Sequence, residues 1–148
     1  MDTLLKYVAT LGIIGYVPFA PGTFGTLCAF VLFIIVKPSL FFHLALLALF
    51  IPLGIISSHH AERALKVNDS QHIVIDEFCG YLLSVLFMPF SFVSALAAFF
   101  LFRVFDILKP FPIRKIEYSF SGGIGIMADD MAAALYTNVI LQIWRAVF

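Results

Sequence analysis

Four long stretches without a charged residue constrain this chain more than any other feature: Tyr7 to Val36, Pro38 to Ala61, Phe78 to Phe102 and Met131 to Trp144. A helix needs about 20 consecutive apolar residues to cross the hydrocarbon of a bilayer, and the second and third stretches meet that length directly. Apolar residues make up 62% of the 148 residues and charged residues 12%, whereas a soluble domain carries about a quarter charged residues to cover itself. The surface of such a chain is expected to face lipid. Its formal net charge is zero, which removes any electrostatic case for nucleic acid.

The expected fold is all-α, a multihelical integral membrane bundle of about five or six helices forming one domain over residues 1–148. The first stretch is broken by Pro18-Phe19-Ala20-Pro21-Gly22-Thr23-Phe24-Gly25, too rich in proline and glycine for a regular helix. Helices are therefore expected over 3–16 and 24–36, with the break at an interface or beside a polar cavity where its freed backbone groups find partners. A hairpin turn or helix break is expected at Met88-Pro89-Phe90-Ser91, because proline removes a donor and restricts its predecessor. This serpentine puts Lys6, Arg63, Lys66, Arg103, Lys109, Arg114 and Lys115 on one face and Lys37 and Arg145 on the other. Such an imbalance favours the first face as cytoplasmic. The N-terminus lacks the pattern of a removable signal peptide.

Nearly all ionisable residues fall in three short segments. One runs from Ser58-His59-His60 through Glu62, Arg63, Lys66 and Asn68-Asp69 to Asp76-Glu77; another is Arg103-Val104-Phe105-Asp106-Ile107-Leu108-Lys109 with Arg114-Lys115; the third is Ser121-Gly122-Gly123 to Asp129-Asp130. Asp76-Glu77 and Asp129-Asp130 each admit a plain reading as carboxylates at a helix start, where the helix dipole favours negative charge. Together they would place four carboxylates on one membrane face. Like charges so placed repel unless a cation lies among them, and oxygen-rich sites suit magnesium, manganese or calcium.

Arg103, Asp106 and Lys109 are spaced to share one helical face. The two cations read either as snorkelling side chains or as phosphate ligands; Asp106, set among apolar neighbours, needs a partner, which Arg103 or a metal could supply. His59 or His60 could donate a proton or could anchor a helix end. Gly22 and Thr23 could present backbone donors to an anion at the following helix start. His43 and His72 read as structural, and Cys28 and Cys79 as small buried hydrophobes. No Cys-phosphatase cradle, DxD pair, Gly-x-Ser-x-Gly elbow or Walker loop occurs.

Ala20-Pro21-Gly22-Thr23-Phe24-Gly25-Thr26-Leu27, Val74-Ile75-Asp76-Glu77-Phe78-Cys79-Gly80, Phe102-Arg103 to Pro112-Ile113-Arg114 and Gly122-Gly123 to Asp129-Asp130 resemble, in order, the signature blocks of phosphatidylglycerophosphatase A. Cys79 stands where an ordinary aliphatic residue is expected, which argues against a cysteine nucleophile. The resemblance implies a bacterial inner-membrane, multi-pass enzyme, dependent on Mg2+, that hydrolyses phosphatidylglycerophosphate to phosphatidylglycerol and phosphate. On this reading Asp76, Glu77, Asp129 and Asp130, with Asp106, hold one or two magnesium ions, and one of them orients or deprotonates the attacking water. Arg103, Lys109 and Arg114 clamp the phosphate, Thr23 and the backbone near Gly22 add donors, and His59 or His60 protonates the leaving glycerol oxygen. The competing reading is a small ion-binding transporter, since buried carboxylates and a broken helix also build mid-bilayer ion sites. A lipid-forming phosphotransferase is disfavoured because its Asp-Gly…Ala-Arg…Gly…Asp pattern is missing.

Overall fold

The structure is a computed structural model that describes residues 2–67 and 70–148; Asn68 and Asp69, within the first charged segment, lie outside the described residues. Every described element is helical: α1 (Asp2–Ala9), a 3-10 turn (Ile14–Tyr16), α2 (Pro21–Val36), α3 (Leu40–Leu65), α4 (Ile75–Ser84), α5 (Phe92–Leu108), α6 (Ile113–Ser119) and α7 (Gly122–Val147). The described chain thus has seven α-helices rather than five or six.

The expected helix over 3–16 is shorter, since α1 stops at Ala9 and the chain turns through Leu11 and Gly12, both at positive φ. The break also ends sooner than expected. Residues from Pro21 onward, including Gly22 and Gly25, are helical. Pro21 is tolerated because it occupies the first turn, where its missing N–H has no intrahelical partner to lose. Ala20 before it is non-helical and lies in the left-handed region. Near residue 90 the expected turn is present, and Ser91 caps α5 by accepting from the Ser94 N–H at 3.4 Å.

The short α4 is the hub. It packs against α2, α3, α5 and α7, and eight of its ten residues are buried. Tyr81 donates to the Ala95 carbonyl at 3.0 Å, tying α4 to α5, while Phe30 of α2 sits edge-on to Tyr81, Phe92 and Phe99. Gly80 admits Phe102: a Cβ there would lie 2.5 Å from the ring. Gly123 lets α7 cross α3 backbone to backbone, since a Cβ there would overlap the Ile55 carbonyl; small residues permit such close crossings.

The two histidines read as structural serve the fold. His43 is buried against the Leu82 carbonyl at 2.9 Å. His72 bonds the Gly15 carbonyl at 2.7 Å and stacks on Tyr16. Asn138 was not singled out from the sequence. Its amide donates to the carbonyls of Leu83, Ser84 and Leu86, the closest at 2.7 Å. Leu83 and Ser84 end α4 and Leu86 follows it, where carbonyls run short of backbone donors, although that of Leu83 also accepts from the Leu86 N–H at 3.2 Å. Asn138→Leu keeps the volume and removes the donor, so it should cost about 1–3 kcal/mol, read as a lower melting temperature in detergent; unchanged melting would mean the carbonyls are satisfied otherwise.

Two helices, α3 and α7, are long and apolar enough to cross a membrane, and α2 is a shorter apolar helix. The molecule has two distinct ends. Lys37 lies over the Phe90 ring and Arg145 lines a cavity with Pro38, Phe87 and Phe90. The acidic segments gather at the other end, where α4 and α7 begin and where α3 and α5 finish.

Candidate active site

Asp76 and Glu77 occupy the first turn of α4, where the positive helix end favours them. Asp129 and Asp130 do not open a helix as expected: α7 starts at Gly122, so both lie inside it and the helix has no acidic residue in its first turn. Dipole pairing therefore does not explain them. Both are buried, and a carboxylate buried within a helix requires a partner or a cation.

Asp76, Glu77 and Asp130 converge, each offering a carboxylate oxygen within 4.8 Å of the others. Asp76 is 8% exposed and Asp130 3%. One oxygen of each of the three carboxylates, Asp76 Oδ1, Glu77 Oε2 and Asp130 Oδ2, is buried without a hydrogen-bond partner. Arg103 enters from α5, its Nη1 2.6 Å from Asp106 Oδ2 and 3.7 Å from Glu77 Oε1. Nη1 and Nε of Arg103 still lack an aligned acceptor, so the contact with Asp106 is close in distance but poor in direction. Asp106 also faces Asp130. Four carboxylates and one guanidinium thus crowd one buried volume, and like charges at such spacing demand a counter-cation or shared protons.

The first turn of α2 closes one wall. A Cβ on Gly22 would overlap Glu77 Oε1 and lie 3.3 Å from Arg103 Nη1. The proline-glycine segment is therefore packed against the acid cluster so closely that any side chain at Gly22 would displace the Glu77 carboxylate. Thr23, next in the helix, is half-buried.

The remaining candidates are distributed around this core. Asp129 turns away from the converging three and meets Lys109, whose Nζ lies 2.6 Å from Asp129 Oδ2 and 2.7 Å from Glu117 Oε1. Burial alone would lower the Lys109 ammonium, but its hydrogen bonds to Asp129 and Glu117 outweigh this and hold it well above the usual lysine range. Glu117, unmarked by the sequence reading, is thus part of the network; only the fold brings it to Lys109. Arg114 is exposed on α6, where it lines an open groove with Lys109 and Lys115. His59 and His60 lie near the end of α3, outside the converging carboxylates; His59 Nδ1 would be 2.8 Å from a Cβ on Gly122. Beside them Glu62, Glu117, Gly122, Gly125 and Asp129 line a cavity of about 270 Å³. Cys79 is fully buried with its thiol free.

A family model described as phosphatidylglycerophosphatase A matches residues 7–145. The chain belongs to the phosphatidylglycerophosphatase A family. A phosphatidylglycerophosphatase A of Haemophilus influenzae is 40% identical over 131 residues, covering 84% of this chain and 80% of the relative. That of Escherichia coli K12 is 34% identical over 130 residues, covering 86% and 75%. A Bacteroides thetaiotaomicron protein named as a candidate phosphatidylinositol-3-phosphatase is 36% identical over 144 residues, covering 88% and 87%. No solved structure matches the chain significantly. All four sequence blocks that resembled phosphatidylglycerophosphatase A lie within the matched span, and each contributes at least one residue to the acid cluster or its wall: Gly22, Asp76 and Glu77, Arg103 and Asp106, and Asp130.

Proposed function

We propose that this chain is an integral membrane lipid phosphatase that hydrolyses phosphatidylglycerophosphate to phosphatidylglycerol and inorganic phosphate with a bound divalent cation, magnesium by family resemblance. The observation that carries this reading is the convergence of Asp76, Glu77 and Asp130, each with a buried oxygen lacking a protein partner, beside a guanidinium with unaligned donors. An all-oxygen donor set suits a hard cation, so these residues fit magnesium, with Asp106 as a further candidate ligand. Asp129, held by Lys109, is better placed to position α7 than to bind the ion. When bound, the cation supplies charge neutralisation at the phosphoryl oxygens and lowers the cost of generating a water nucleophile.

The chain's own groups would do the rest. Arg103 reorients its free N–H groups from Asp106 onto the phosphate, where its planar fork matches two oxygens. Glu77, with a side chain 15% exposed, is the carboxylate of the three placed to take the proton of the attacking water. As the phosphorus–oxygen bond to glycerol breaks, the departing oxygen needs a proton, and His59 or His60 remains the proposed donor. The Thr23 hydroxyl and the backbone near Gly22 add donors from the start of α2, beside Arg103.

The membrane reading rests on α3 and α7 and on large apolar side chains left open to the surroundings along α2, α3, α5 and α7, such as Ile35, Phe41, Phe100 and Ile143. The relatives are bacterial, and the excess of Lys and Arg at the acid-cluster end favours a bacterial inner-membrane protein with that end cytoplasmic. The relatives' names imply a common head-group chemistry: both phosphatidylglycerophosphate and phosphatidylinositol 3-phosphate carry an internal phosphodiester and a terminal phosphomonoester.

Purified protein in mixed micelles should release phosphate from phosphatidylglycerophosphate, lose this activity with a chelator and regain it on adding Mg2+. Chelator-resistant release would remove the cation from the reading. Release only from phosphatidylinositol 3-phosphate would change the substrate, and ion flux in proteoliposomes without any release would favour transport.

A further inference from the structure

At the corner between α5 and α6, Lys109, Arg114 and Lys115 with Leu108, Phe111 and Tyr118 line an open groove of about 500 Å³. We propose that this groove is a second anion subsite, which holds the internal phosphodiester of a two-phosphate lipid head group while the acid cluster holds the terminal monoester. The proposal deepens the phosphatase reading and rests on it for the monoester half.

The groove's charges are unevenly satisfied. Lys109 is neutralised by Asp129 and Glu117, whereas Arg114 and Lys115 are exposed and pair with no carboxylate among the described residues. The surplus positive charge therefore lies on these two, side by side on one short helix. Their neighbours are apolar and open: Phe111 and Tyr118 are each 80% exposed and Leu108 65%. Aromatic and aliphatic groups beside arginine and lysine match the boundary of a bilayer, where a diester sits between acyl chains and head group. Lys109 reaches from the groove to α7, where its ammonium touches Asp129, the residue before Asp130, on the side facing away from the converging carboxylates. A glycerol joining diester to monoester would run along that connection.

Recognition through the diester would favour a two-phosphate head group over a lone monoester, a discrimination the acid cluster alone cannot provide. A lone monoester, as in phosphatidic acid, would fill the cluster and leave the groove empty. Arg114 accordingly acts on a different phosphate from Arg103, contrary to the single clamp expected from the sequence.

The test has two arms that fail separately. In the first, short-chain phosphatidylglycerol, which has the diester without the monoester, is titrated calorimetrically into the detergent-solubilised full chain, with diacylglycerol, which lacks the diester, as the control. Wild type should bind one phosphatidylglycerol saturably, and R114Q/K115Q should bind about tenfold more weakly, the scale of two partly screened charge-assisted contacts. In the second, KM for phosphatidylglycerophosphate should rise about tenfold in the same variant with kcat within about twofold, the pattern of lost uniform binding. Unchanged affinity and KM, or unsaturable binding that diacylglycerol matches, overturns the subsite and leaves the phosphatase reading intact. Saturable, variant-sensitive binding without phosphate release would overturn the phosphatase reading and support the subsite.

Discussion

Asp130→Asn is expected to lower phosphate release by about a thousandfold or more, or about 4 kcal/mol of transition-state stabilisation. Asp130 is 3% exposed and one of its oxygens has no protein partner. Its job in this reading is to present negative charge to a cation; asparagine keeps the shape and loses the charge. Thermal stability separates this from simple misfolding. Without divalent cation, the wild type crowds Asp76, Glu77, Asp106 and Asp130 around Arg103, so removing one charge relieves repulsion and should raise the melting temperature. A ligand that binds only the folded state stabilises it by mass action, so Mg2+ should raise the wild-type melting temperature and do much less for Asp130→Asn. A variant that retains both near-normal turnover and the Mg2+ response would show that the converging carboxylates are not the cation site.

Gly22→Ala should cut kcat/KM by about tenfold to a hundredfold while leaving the fold intact. The new methyl would overlap Glu77 Oε1 and press toward Arg103 Nη1. The end of the glutamate side chain can yield, so the fold survives, and alanine is a better helix residue than glycine by about 1 kcal/mol. Stability is thus expected to hold or rise while activity falls, because small displacements of a catalytic group can cost about a hundredfold. Equal turnover in wild type and variant would mean that the position of Glu77 is not critical. Gly123→Ala offers a contrast, since its methyl would meet the Ile55 backbone, which cannot move aside without parting α3 from α7.

Local sequence was a sound guide at several points where backbone chemistry decides. Pro89 and Ser91 marked the turn before α5, and the uncharged run through residues 38–61 marked α3. It misled at Pro21, where the same residue that breaks a helix interior can open one, and at Asp129-Asp130, which were expected at a helix start and lie within α7. The acid cluster was half legible. Sequence grouped four paired carboxylates plus Asp106; the fold selects Asp76, Glu77 and Asp130 and sends Asp129 to Lys109. Adjacent helical positions point about 100° apart; long side chains can still converge, as Asp76 and Glu77 do at the start of α4, but Asp129 and Asp130 diverge, and which of them faces the cluster depends on how α7 is rotated against α4.

By itself, then, the sequence determined an all-helical chain with exposed apolar faces, and the family through four ordered blocks, because charge spacing and turn residues act locally. The tertiary structure alone decided that α4 is the buried hub, that Glu117 pairs with Lys109, that Asn138 meets the carbonyls at the end of α4, and that Arg114 lines an open groove on α6. Those outcomes depend on helix packing angles and rotations, which arise from contacts between residues far apart in the chain.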